Sequence, residues 1–292
     1  MNKYFGFTDY LTIEKKYSKH TIIAYLKDIE SFKVFSEHLN IELKEVNYSE
    51  IRSWIAKLSN EGISNKSINR KISSLKAFYN FLIKTQQIQN TPLQKFKSLK
   101  TPKELSLPFS SKEIEAVFEA VDRFDFKSNR DALVIELLYA TGMRRAELIN
   151  LKSNDINLLK KEVKILGKRN KERIVPIYRE VCEHISEYLK YKSDANLTSH
   201  FLFVTENDKQ LYPNLVYRIV NDTFSQFSNK SKTSPHVLRH TFATHLLNNG
   251  ANLNSIKELL GHESLSSTEI YTQNSIEILK QSYNKNHPRE KD

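Results

Sequence analysis

The chain has 292 residues, 39% hydrophobic, 11% aromatic and 27% charged, which is enough apolar material for real cores in one large domain or two smaller ones. A formal net charge of +11 favours a polyanionic partner through counterion release and long-range attraction, without separating DNA from RNA or an anionic membrane surface. A single cysteine, Cys182, excludes an internal disulfide framework and any cysteine-clustered zinc or iron site. The opening MNKYFGFTDYL lacks the apolar run of a signal peptide, and no stretch approaches the ~18 apolar residues of a membrane span, so a reducing cytoplasm is the expected compartment.

The first hundred residues read as helices. Ile22, Tyr25, Leu26, Ile29, Phe32, Phe35 and Leu39 recur at three- and four-residue spacings, which places them on one helical face. Ile51, Trp54, Ile55 and Leu58 form a second stripe, with Trp54 read as core. Ile68, Ile72, Leu75, Phe78 and Leu82 form a third, set off by Gly62 and closed before Pro92. Residues 1–100 hold 17 Lys and Arg against 9 Asp and Glu. This part of the chain therefore carries most of the positive surplus, as a surface gripping a polyanion would. Lys66, Arg70, Lys71 and Lys76 either face a duplex or are simply solvated.

Residues 92–109, with three prolines, four lysines and no sustained periodicity, mark the expected domain boundary. This gives an N-terminal helical domain at 1–98, a linker at 99–109 and a second domain at 110–292. Ser110 and Glu113 have capping-box spacing, and the helix they open carries Ile114, Val117, Phe118 and Val121. A further helix runs through Leu133, Val134, Leu137 and Leu138 to Gly142. Val163, Ile165 and the run Ile174–Ile177 suggest two short strands around a basic turn, 167–173. Helices follow at about 179–191, with Cys182 in an apolar stripe, and at 213–227. Another opens at Ser234-Pro235, where a cap precedes a first-turn proline. Asn252 and Ser267 are plausible starts for the last ones. The tail after Tyr283 is polar and reads as loose.

Five local signals carry chemistry: ATGMRRAEL at 140–148, Gly167-Lys168, HVLRH at 236–240, LLGH at 259–262, and Tyr271. Singly, each has an ordinary explanation. Arg144 has the spacing to pair with Glu147 on a helix surface. His236 and His240 sit four apart, as a metal pair would, but Arg239 between them repels a cation and no glutamate completes a zinc-protease helix. His262 follows a glycine as a capping residue would, and Tyr271 is one of 14 tyrosines, by default a packed aromatic. Together they place two arginines, a lysine and two histidines around one late tyrosine, with no acidic cluster for magnesium. That set suits a metal-free phosphodiester site. Arginine matches the non-bridging oxygens of a five-coordinate phosphorus with paired, permanently charged donors. A lysine can protonate the departing sugar oxygen, and a histidine can accept or relay the tyrosine proton.

ATGMRRAELINL, VKILGKRNKERIVPI, HVLRHTFATHLLNNGA and LLGHESLSSTEIYTQ, in that order, resemble the boxes of the tyrosine recombinase/integrase family, most closely its bacterial Xer branch, which resolves chromosome dimers. The likeness covers nearly the whole chain. It implies a two-domain, mainly α fold with a small β-sheet: an N-terminal SAM-like helical bundle and an α/β catalytic domain, closing on double-stranded DNA as a clamp. It implies Tyr271 as nucleophile, Arg144, Arg239, His236 and His262 around the phosphate, and Lys168 as general acid. Glu147 becomes a supporting carboxylate and His240 a structural neighbour. Lys171, three residues on in the same turn, is the alternative to Lys168. Arg145 and Glu263 depart from the common pattern without touching a catalytic position. The implied reaction needs no cofactor, metal or ATP and proceeds through a 3′-phosphotyrosyl link. The implied assembly is four protomers, identical or paired with a second recombinase, on two duplexes, with an activating translocase as a further partner. In it a C-terminal helix docks into a neighbour; Ile276, Ile278 and Leu279 are candidates for that contact or for capping their own core. A compact integrase of a phage or mobile element is the alternative within the same chemistry. A non-catalytic DNA-binding protein is the alternative outside it, and a type IB topoisomerase, which shares the attack chemistry but relaxes supercoils, is a third class.

Overall fold

A computed structural model describes residues 5–102, 107–167, 170–261 and 273–289, with side chains throughout except at residues 5 and 273–278. The chain divides into two compact units, Met1–Glu104 and Leu105–Asp292. No helix among the described residues is long and apolar enough to cross a membrane.

The first unit is a helical bundle. Helix α1 (Phe5–Asp9) passes into a π-helical turn, Tyr10–Glu14, and is followed by α2 (Lys19–His38), α3 (Tyr48–Asn60) and α4 (Asn65–Lys84). Ser18, Asn47 and Ser64 cap the last three, each accepting an otherwise unpaired first-turn N–H. The three apolar stripes converge on a core holding Phe7, Phe32, Trp54, Ile72, Leu75 and Tyr79. Leu39 falls outside it: α2 ends at His38, and the leucine is exposed. The basic residues of α4 divide. Lys66 is exposed. Lys76 is also exposed and stands over the Phe96 ring. Arg70, about half exposed, and the less exposed Lys71 converge on the buried carboxylate of Asp28, Arg70 with two donors at 2.5 and 2.9 Å and Lys71 at 3.2 Å. Ser74 gives that carboxylate a further hydrogen bond of 2.8 Å.

The second unit is built around α6 (Phe126–Thr141), buried over nearly its whole circumference, as a central helix must be. Before it stands α5 (Ser111–Ala120), opened by the Ser110–Glu113 capping box. After it come α7 (Arg145–Ile149), a three-stranded antiparallel sheet, α8 (Arg179–Asp194), α9 (Pro213–Phe224), α10 (Pro235–Asn248), α11 (Leu253–Leu260) and α12 (Gln273–Asn286). Helix α9 stops three residues before the expected end, and the start expected at Ser267 lies outside the described residues. In the sheet, β2 (Glu162–Leu166) pairs with β3 (Glu172–Pro176) in the register Val163↔Val175 and Ile165↔Arg173. A third strand, β1 (Ile156–Asn157), which the periodicity does not reveal, adds to its edge. Cys182 is buried on α8.

The C-terminal segment corrects one expectation. Far from being loose, it is docked: Tyr283, Asn286 and His287 are buried. The His287 ring lies 4.7 Å from the Tyr283 ring and 5.3 Å from that of Tyr139, and the Arg289 guanidinium lies 4.4 Å from the centre of Phe118. Composition hid this, because polar residues can still dock on aromatic rings: a neutral imidazole stacks on them, and a partly exposed guanidinium lies over a ring face by cation–π attraction. Leu279 packs into the unit's own core; the side chains of Ile276 and Ile278 lie outside those described.

Candidate active site

The candidate site forms where three helix ends meet, those of α6, α7 and α11. Helix α6 terminates at Gly142 in the left-handed conformation, with φ of 58°. A Cβ there would overlap the Phe242 ring and lie 2.9 Å from Leu260 Cδ2, so only glycine lets α6 end against α10 and α11. Arg144 follows as the N-cap of α7. Its backbone N–H donates to Glu147 Oε2 at 2.8 Å, and its Nη1 donates to Glu147 Oε1 at 2.7 Å. The pairing expected of these two residues is present, but with the carboxylate buried and not on a helix surface: it caps the helix and aligns the guanidinium, which remains about one-third exposed at 35%.

Arg239, one turn into α10, is buried. Its Nη1 donates to Gly142 O at 2.6 Å and its Nη2 to Leu260 O at 2.7 Å. Burial first, and the nearby Arg144 cation second, push its guanidinium down to about 10, which leaves it protonated in neutral solution. Phe109 N donates to Thr241, and His245 bridges Tyr139 and Phe109 O, each at 2.9 Å; these bonds tie α10 to α6 through Tyr139 and to the segment before α5 through Phe109. His236, in the first turn of α10, and His240 are both exposed.

A third arginine, which the sequence reading placed only within the basic turn, completes the cluster. Arg173 donates to both oxygens of Glu147, at 3.1 and 2.7 Å, and through Nε to Leu259 O at 2.8 Å. Burial opposes ionisation of Glu147, but the Arg173 bonds and charge, with the Arg144 bonds, outweigh it and hold the carboxyl below its ordinary range. Three consecutive carbonyls at the end of α11 thereby each take one arginine: Leu259 takes Arg173, Leu260 takes Arg239, and Gly261 takes Arg144 at 3.3 Å. The negative end of a helix macrodipole and its unsatisfied carbonyls are a natural seat for cations.

The structure therefore brings Arg144, Glu147 and Arg239 together and sets His236 and His240 on the exposed side of α10. Gly167 closes the β2–β3 turn with a 2.7 Å bond to Lys171 O. Lys171 is exposed. Lys168, His262 and Tyr271 lie outside the described residues. The alternation of β3 was the available signal for Arg173: a strand that buries Val175 buries the residue two before it.

Comparison with known proteins gives this geometry a family. The phage integrase family matches residues 108–277, and the phage integrase N-terminal SAM-like domain matches residues 5–86. Tyrosine recombinase XerC of Staphylococcus carnosus is 39% identical over 96% of this chain and 95% of its own length. Its counterpart in Bacillus subtilis is 37% identical, over 97% and 95%. Among solved structures, XerA recombinase aligns with a TM-score of 0.51 at 27% identity, over 99% of this chain and 100% of its own. XerH site-specific recombinase, bound to its palindromic difH substrate, shares the fold with a TM-score of 0.72 at 24% identity, over 89% of this chain and 78% of its own. The two family models and the near-full-length XerC relatives define the class, the tyrosine recombinases. The chain belongs to the phage integrase family, as a Xer-like site-specific recombinase.

Proposed function

We propose that the arginine cluster holds the scissile phosphate of a specific double-stranded DNA site and that Tyr271 attacks it. The observation that carries this reading is the convergence of Arg144 and Arg239 on the end of α11, directly before His262. Arg144 is fixed by the Glu147 carboxylate and Gly261 O, Arg239 by two carbonyls, and both guanidiniums retain further N–H donors for an anion. The Tyr271 phenolic oxygen forms a bond to phosphorus, the bond to the 5′ oxygen breaks, and a 3′-phosphotyrosyl link remains. His236 takes the phenolic proton, and Lys168 supplies one to the departing 5′ oxygen. His262 adds a donor to the phosphate, Glu147 orients Arg144, and His240 supports the helix without touching the reacting atoms. A 5′-hydroxyl of the partner duplex then attacks and the link is reversed. One phosphodiester replaces another, so the barrier falls by holding and neutralising the crowded intermediate geometry. Two successive exchanges require four protomers on two duplexes.

The DNA-bound recombinases of the same fold support the duplex as partner, and the XerC relatives favour resolution of chromosome or plasmid dimers. Tyr271→Phe keeps the ring and removes the nucleophile. With a nicked suicide duplex it gives no SDS-resistant protein–DNA adduct while site binding stays within a few-fold of wild type. An undiminished adduct in the variant refutes the assignment.

A further inference from the structure

Arg173 is an unusual residue for its place. It occupies the inward phase of β3, opposite the fully buried Ile165, and its own side chain is only 5% exposed. Removing a cation from water costs several kcal/mol even after relaxation, and an apolar side chain of similar volume often stabilises such a position as well or better. What Arg173 gains in return is specific. It clasps both oxygens of Glu147, the same two that align the backbone and guanidinium of Arg144. Its Nε holds Leu259 O, and a Cβ on Gly261 would stand 3.3 Å from its Cδ and Nη1, so the end of α11 is packed upon it.

We infer that Arg173 is a positioning residue for strand cleavage: it shares the Glu147 carboxylate with Arg144 and fixes the chain end that leads into His262. The inference rests on the reading that Arg144 meets the phosphate. The physical reason is charge sharing. With Arg173 in place, one carboxylate serves two guanidiniums, and Arg144 retains positive charge for an incoming anion. Without it, the full negative charge of Glu147 falls on Arg144, and the carboxylate is free to rotate away from the α7 N-terminus.

The test is single-turnover formation of the phosphotyrosyl adduct on a suicide duplex. It is measured at a temperature where thermal melts show each variant folded, beside site affinity and with wild type and Tyr271→Phe as controls. Arg173→Gln is expected to lower the rate constant at least ~10-fold with affinity within about three-fold, as loss of transition-state charge stabilisation requires. Adding Glu147→Gln to Arg173→Gln restores a substantial part of that rate, because it removes the charge that has become excessive. A residue that merely braced the fold would show no such recovery. Arg173→Lys keeps the charge but cannot grip two oxygens and a carbonyl at once, and is expected to lose about 5-fold; it decides the matter if Arg173→Gln does not fold. Wild-type rate constants in the folded variants, or a double variant slower than Arg173→Gln, overturn the inference. If wild type itself forms no adduct, the proposed reaction fails instead.

Discussion

At Arg239 the geometry is specific to guanidinium. Two of its nitrogens are spent on Gly142 O and Leu260 O, at 2.6 and 2.7 Å, in the fork that a planar group presents and a single ammonium does not. Arg239→Lys keeps the positive charge, yet it is expected to slow adduct formation by at least ~10²-fold, the scale of losing one preorganised oxyanion donor. Retention of most of the rate would mean that charge alone suffices there. The proposed proton donor is tested differently. In Lys168→Ala, a duplex carrying sulfur at the 5′ leaving position should recover cleavage, since a thiolate departs without protonation; absence of recovery shifts the role to Lys171 or another donor.

At the scale of elements, the C-terminal segment makes its own prediction. His287 lies against Tyr139, Tyr178, Phe242 and Tyr283, with Arg289 and His245 as its charged or titratable neighbours. Burial, above all, pushes its imidazole down to about 3. Above the ordinary histidine value it is neutral in both folded and unfolded chains. As pH falls from about 6.5 towards 3, the unfolded chain gains a proton that the folded one refuses, so stability is lost on the order of 3 kcal/mol by pH 4. Replacing His287 with Phe keeps the ring stack and should flatten the fall in melting temperature between pH 6.5 and 4. Parallel profiles in the two proteins would rule the imidazole out as the acid-sensitive group.

The same elements show what the sequence makes legible. The longer helices of the first unit, α5, α6 and the two longer strands follow from spacing, because periods of 3.6 and 2 are imposed by backbone geometry, and the caps at Ser110, Ser234 and Asn252 mark helix starts; the one-turn helices α1 and α7 are too short to show a period. Arginine as a residue type matches phosphate chemistry, but it was the resemblance of the ordered motifs to a known family that singled out Arg144 and Arg239 and gave Glu147 its supporting place. Arg173 escaped, since the apolar run Ile174–Ile177 drew the strand and its alternation was not followed one step back. The docking of residues 284–289 escaped for another reason. It depends on rings contributed by α5, α6, β3's continuation into Tyr178, and α10, which no local pattern brings together.

For the whole molecule, charge sets the behaviour towards DNA. Of a net +11, a surplus of 8 lies in residues 1–100, where Arg70 and Lys71 also pair with the buried Asp28 while Arg70 stays about half exposed. If the protein neutralises about six to ten phosphates, its affinity for a duplex should fall by roughly 10³–10⁵ between 50 and 200 mM salt. A log–log binding isotherm measures the slope. A shallow slope would mean that few of these cations reach phosphate.

The carbonyl ladder at the end of α11 has one more implication. An arginine side chain free in solvent samples many rotamers and must surrender them when it captures an anion. Here Leu259, Leu260 and Gly261 have each claimed one guanidinium in advance. The loss of side-chain freedom is incurred when the polypeptide folds, and in the proposed reaction a phosphate would meet Arg144 and Arg239 donors that already point in fixed directions.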